Sequence, residues 1–226
     1  MFLITNYLSN AVELLAFFTS LLLLKKPIQK EYLPYFWYCL SVIFIESAGK
    51  AILLTGHRSN HTLYTFANIY FANMYFYFLL RILQTMAYKK TLRVLLVIYN
   101  VFAIINLLFI QQLREANTFS EIVEYIFIVV GCCLYYIEFI SIETVISFSE
   151  TPQFFLITGL FFFSALCGIN KVIHRFFAYK SMDVIMKFRP SYHTIICIAN
   201  ACLYLLFSVA FLLIWNKKKS LAYSSR

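Results

Sequence analysis

The chain has 226 residues, of which 62% are hydrophobic, 19% aromatic and only 13% charged, with a formal net charge of +9. Its mean hydropathy of +0.77 lies far from that of soluble domains, in which roughly a quarter of residues are charged, and points to an integral membrane protein. A bilayer core about 30 Å thick takes roughly 20 helical residues per crossing, so seven crossings use most of the chain and leave no segment for a soluble catalytic, kinase or DNA-binding domain.

The predicted fold is all-α: one polytopic membrane domain over residues 1–226, a bundle of seven transmembrane helices with the N-terminus outside and the C-terminus cytoplasmic. The first helix, at about 3–24, lacks a basic leader and a small-residue cleavage site and reads as retained; Lys25, Lys26, Pro27 and Lys30 end it. The second, at about 32–55, tolerates Pro34 in its first turn. The third, at about 62–86, repeats Phe-Ala-Asn at 66–68 and 71–73. The fourth covers about 94–111 and the fifth about 121–147. Thr151 as N-cap and Pro152 as first residue open the sixth, at about 152–177, and the seventh runs over about 192–215 before a basic tail.

With the N-terminus outside, Lys25, Lys26, Lys30, Lys89, Lys90, Arg93, Lys217, Lys218, Lys219 and Arg226 all fall on the cytoplasmic side, the bias that sets membrane orientation. Lys180, Lys187 and Arg189 run against it. The net charge therefore reads as topology and not as a nucleic-acid footprint. All six Cys lie inside predicted spans, where free thiols act as small buried hydrophobes, and their spacing defines no disulfide framework.

The fifth stretch is the unusual one, because Glu121, Glu124, Glu138 and Glu143 interrupt an otherwise lipid-soluble run. A charge at bilayer depth costs about 2.5 kcal/mol or more, so such residues face protein or water and are functional candidates. Sorted by depth, Glu13, Glu46, Lys50, Asn68, Asn73, Asn106, Glu124, Asn170, Lys171, His174, His193 and Asn200 fall at the midplane or in the outer half, whereas Arg81, Asn100, Glu138 and Glu143 fall in the inner half. Helical spacing stacks several of these on one face per helix. The expectation is an outward-facing polar cavity for a small-molecule ligand, with Glu13, Glu46, Lys50, Asn68, Glu124, His174 and Asn200 as the ligand-binding set. Glu46 and Lys50, four residues apart, have the spacing of a helix ion pair. Arg81, Glu138 and Glu143 form the expected inner coupling set, with Arg81 pairing with one of the two acids.

Catalytic and metal chemistry are disfavoured. His57 and His61 have ligand spacing only if their turn is helical, and Gly56 and Asn60 argue for a loop; Asp183 is the sole Asp, and neither HExxH nor GxSxG occurs. The expectation is accordingly no metal, no cofactor and no enzymatic activity, and Ser164 reads as a packing residue.

Helices 2 and 3 share an order of features with helices 6 and 7: Pro34, Ser47-Ala48, Lys50 and Ala67-Asn68 against Pro152, Ser164-Ala165, Lys171 and Ala199-Asn200. This suggests a parallel three-plus-one-plus-three repeat with helix 4 as connector. On its length, its seven spans, its outward N-terminus, and Pro34 and the Pro152-Gln153 pair near the starts of helices 2 and 6, the chain resembles in layout the PQ-loop and sugar-transporter class; as a whole it is more similar to small uncharacterised seven-helix membrane proteins of bacteria, rich in Tyr, Phe and Asn. The second resemblance implies a multi-pass protein of the bacterial inner membrane, the first a small-solute transporter. The residues themselves point first to a receptor or sensor in the lipid bilayer that signals through a membrane or cytoplasmic partner.

Overall fold

Apolar runs of this length find no water for their peptide groups in a bilayer, so each satisfies its N–H and C=O groups internally as a helix. The computed structural model describes residues 2–24, 32–55, 59–111, 117–141, 150–178 and 182–224, and every regular element among them is helical. The elements are α1 (Phe2–Ser20, extended by a 3-10 turn over Leu21–Leu24), α2 (Leu33–Leu54), α3 (His61–Ile82), α4 (Met86–Ile105, extended by a π-helical turn over Asn106–Ile110), α5 (Thr118–Ser141), α6 (Pro152–Ala178) and α7 (Met182–Ser224). Six contain a stretch long and apolar enough to cross a membrane; α3 does not. It carries Asn68, Asn73 and Arg81, and it packs against α2, α4, α5 and α6 with Ala72, Tyr75, Phe76, Phe78 and Leu79 buried. A helix surrounded by protein needs less apolar surface than one facing lipid.

Three boundaries differ from the sequence expectation. The chain leaves α3 at Leu83, whose ψ of 141° is extended, and α4 starts at Met86 and not near 94. Lys89, Lys90 and Arg93 are thus helical, since long basic side chains near a helix end extend toward the aqueous interface and do not require a loop. α7 starts at Met182, ten residues early, and passes through Pro190. Proline removes one intrahelical N–H bond; the Pro190 carbonyl accepts the Thr194 hydroxyl at 3.0 Å. At about 1.5 Å per residue, its 43 residues exceed the thickness of any bilayer core. The part of the fifth predicted helix beyond Ser141, including Glu143, and His57 lie outside the described residues.

The helices close a ring: α1 packs on α2, α2 on α3, α3 on α5, α5 on α6, α6 on α7 and α7 on α1, with α4 outside against α3 and α5. Gly131 permits the approach of α5 to that pair, because a Cβ there would stand 2.8 Å from Leu79 Cδ1 and 3.0 Å from Leu92 Cδ1. A reciprocal amide pair, Asn73 with Asn100 at 3.1 Å in each direction, ties α3 to α4.

The end of the bundle at which α1 and α5 begin is called the upper end. Aromatic residues seal the middle. Tyr35 stacks on Phe78 with centroids 4.1 Å apart, Tyr38 packs edge-on to Phe78 at 5.6 Å and against Phe207 at 6.0 Å, and the Tyr38 and Tyr75 hydroxyls bond to each other at 2.8 Å. Each such ring pair adds about 0.5–1.5 kcal/mol to the area it buries. This layer separates a polar cavity above from a smaller one below.

Candidate functional site

Above the aromatic layer lies a cavity of two adjoining lobes. The first, about 440 Å³, is lined by Ser9, Asn10 and Glu13 of α1, Glu46 and Lys50 of α2, Tyr64 of α3, and His193 and Asn200 of α7. The second, about 540 Å³, is lined by Asn68 of α3, Glu121 and Tyr125 of α5, Lys171 of α6 and Tyr192 of α7. Glu46, Tyr64, His193, Ile196 and Asn200 border both. Such volumes fall within the range of small-molecule sites.

Each lobe is organised by one acid and the donors brought to it. In the second, Glu121 of α5 receives the Lys171 ammonium in an ion pair and the Asn68 amide in a hydrogen bond. Lys171 also lies 5.9 Å from the centre of the Tyr192 ring, an attractive placement for a cation. Asn170, the preceding residue on α6, holds the Tyr192 carbonyl at 3.0 Å. In the first lobe Glu13, 7% exposed, accepts the Ser9 hydroxyl at 3.1 Å; the Ser9 oxygen in turn accepts Asn200 at 3.3 Å. Between the lobes, the Tyr64 hydroxyl donates to Glu46 at 3.0 Å. Gly49 makes room for that ring: a Cβ on it would meet the Tyr64 hydroxyl oxygen at 2.8 Å.

Of the seven residues expected to bind ligand, five border the cavity: Glu13, Glu46, Lys50, Asn68 and Asn200. Two do not. Glu124 is buried on α5 one turn below Glu121, because its position on the helix turns it into the packing while Glu121 faces the opening. His174 lies against the Tyr192 ring, 4.5 Å between centroids, outside both lobes. The expected Glu46–Lys50 pair does not form: Lys50 donates to Asn10 Oδ1 at 3.0 Å, since α1 offers an acceptor across the lobe while Tyr64 occupies Glu46. The sequence marks Glu121 and His193 as polar residues at depth without placing them in the ligand-binding set, and it does not single out Tyr64 or Tyr192. The polar stripe at Glu121 and Lys171 was visible, but nothing in the sequence says that α5 and α6 are neighbours or that a Tyr reaches back to a carboxylate.

The inner set is also rearranged. Glu138 does not pair with Arg81. Its carboxylate accepts the backbone N–H of Gln84 at 2.8 Å and that of Thr85, so it holds the sharp turn into α4, where the helix presents free N–H groups and positive dipole charge. Arg81 instead donates to the Tyr77 hydroxyl at 2.6 Å and lies over that ring. Beside the upper cavity, Asn106 of the π-helical turn donates to Gln111 at 3.0 Å, to Ser120 at 2.9 Å and to Asn117, joining α4 to the start of α5. No group of three or more His, Cys, Asp or Glu among the described residues is placed to hold a metal ion, and the six cysteines are free thiols.

Four contacts follow a two-fold pattern. Lys50 of α2 reaches α1, at Asn10, while Lys171 of α6 reaches α5, at Glu121. Asn68 of α3 reaches α5, at Glu121, while Asn200 of α7 reaches α1, at Ser9. Exchanging α1, α2 and α3 for α5, α6 and α7 maps each contact onto its counterpart.

The fold and cavity define a membrane-type helical bundle that carries a charged chamber at one end. No protein-family model, curated protein or solved structure matches the chain.

Proposed function

We propose that this protein is a multi-spanning cell-membrane receptor or sensor that takes a small polar ligand into the two-lobed cavity and passes a helix shift to a signalling partner at the opposite face. In this reading all seven helices cross the bilayer, α3 as the shielded central one, and the upper end is outside. The lower end carries Lys89, Lys90, Arg93 and Lys217, and Trp37 and Trp215 lie near the same helix ends, in keeping with the positive-inside bias and interfacial aromatic anchoring; the bacterial inner membrane is the setting that the resemblance to small bacterial seven-helix proteins suggests. The observation that carries the reading is the convergence of acids, bases and amides from six helices on a chamber closed below by the Tyr38, Tyr75, Phe78 and Phe207 layer. A ligand bridging the Glu13 lobe and the Glu121 lobe contacts α1, α2, α3, α5, α6 and α7 together and therefore favours one arrangement of the ring.

The two-fold exchange of contacts favours a second reading, a small-solute transporter in which the two three-helix groups move about the same cavity. Uptake into reconstituted vesicles decides between them. Ligand-dependent protection of Cys197, which borders the first lobe, without uptake supports sensing; uptake abolished by Glu46→Gln supports transport. Absence of both refutes a ligand cavity.

A further inference from the structure

Below the aromatic layer is a second chamber of about 280 Å³, bordered by Tyr32 and Tyr35 of α2, Arg81, Ile82 and Gln84 at the end of α3, and Gln153 in the first turn of α6. Its chemistry among the described residues is the reverse of the upper cavity: one guanidinium, two amides and two phenols, and no carboxylate. Arg81 has no acidic partner among the described residues, its bonded neighbour being the Tyr77 hydroxyl. The acid nearest in the hydrogen-bond network, Glu138, is committed to the backbone N–H groups of Gln84 and Thr85 and does not border the chamber. Glu150, ahead of α6, is exposed and does not border it either.

Tyr35 supplies the independent observation. It is 3% exposed, and its ring is pinned by stacking on Phe78 and by edge contacts at 6.2 Å to Phe207 and Phe211. It borders the chamber, and its hydroxyl has no hydrogen-bond partner among the described residues. The packed ring thus holds the hydroxyl at the chamber wall as a donor that no protein acceptor occupies, so an incoming acceptor meets it already positioned and with little ordering to impose. Gln153 is already oriented, its amide donating to the Tyr32 hydroxyl at 3.0 Å. The starts of α2 and α6 meet at the same chamber, adding the positive ends of two helix dipoles.

We propose that this lower chamber is an oxyanion site for a phosphate group, with Arg81 as the charge partner and the Tyr35 hydroxyl and Gln153 amide as orienting donors. Guanidinium is the side chain whose fork matches phosphate geometry. The phosphate belongs either to a lipid headgroup of the adjoining leaflet or to a free phosphate species on that side. The site does not depend on the upper cavity or on the sensor reading.

The test uses the full chain in neutral maltoside detergent, with thermal unfolding followed by Trp fluorescence. Inorganic phosphate is titrated against chloride at matched ionic strength. The same measurement is made in nanodiscs of phosphatidylcholine with and without phosphatidic acid. Stabilisation by inorganic phosphate identifies a free-phosphate site, and stabilisation by phosphatidic acid alone identifies a headgroup site. In either arm Tyr35→Phe weakens the apparent affinity about tenfold and Arg81→Gln about a hundredfold. Arg81→Lys, which keeps the charge and loses the fork, falls between them and guards against misfolding of the Gln variant. No stabilisation in either arm, or equal stabilisation of wild type, Tyr35→Phe and Arg81→Lys, overturns the proposal.

Discussion

The ion pair between Lys171 and Glu121 is the point at which the upper cavity and the α5–α6 packing depend on each other, and its removal has a calculable consequence. The two side chains are 18% and 7% exposed, so both charges are largely withdrawn from solvent. Removing one member of a buried pair costs about 3–5 kcal/mol because the other stays behind uncompensated, whereas replacing both with neutral groups of similar shape is close to neutral. Lys171→Met leaves Glu121 with only the Asn68 amide; since Lys171 retains some exposure, the lower end applies, about 3 kcal/mol. Glu121→Gln leaves the ammonium beside the Tyr192 ring, where cation–π attraction recovers part of the loss, giving about 2 kcal/mol. The double variant lies within about 1 kcal/mol of wild type, a coupling of about 4–6 kcal/mol. Reversible unfolding in mixed micelles of increasing dodecyl sulfate content, followed by fluorescence, measures all four corners of the cycle. Singles that add to within about 0.5 kcal/mol would show the two charges to be independently solvated, and the closed second lobe would be refuted with them.

Further outcomes follow from single contacts. Glu138→Gln keeps the shape of the side chain but weakens two charge-assisted bonds to Gln84 and Thr85; stability falls by about 1.5–3 kcal/mol, and amide exchange rises first at residues 83–86, whereas uniform exchange along α3 would contradict a local cap. Gly131→Ala sets a methyl against Leu79 and Leu92 and destabilises by about 1–3 kcal/mol, whereas Val130→Ala, at the neighbouring exposed position, changes stability by less than about 0.5 kcal/mol. Gly49→Ala pushes the Tyr64 ring away from Glu46, so it reproduces the binding defect of Tyr64→Phe in ligand-protection assays; normal binding would remove Tyr64 from the site. His174→Ala, by contrast, leaves ligand protection unchanged, because His174 touches Tyr192 outside both lobes.

The sequence alone determined that this is an all-helical membrane-type protein and where most of its helices lie, because peptide groups in hydrocarbon admit few alternatives and apolar run length is written directly in the chain. It also showed which polar residues lie at depth in the upper half, since depth follows from position along a helix. Rotation and neighbourhood were not legible. Glu121 and Glu124 are three residues apart and read alike in sequence, yet one borders the chamber and the other packs; Glu46 and Lys50 have ideal ion-pair spacing, yet Tyr64 and Asn10 intercept them. Arg81 and Glu138 share a level, but Glu138 is taken by the backbone of a turn whose position depends on where α3 ends. Each of these was decided by which helices are adjacent and which faces they turn to one another. That is a property of the packed ring, in which a side chain bonds to the partner that packing places within reach and not to the one nearest in sequence.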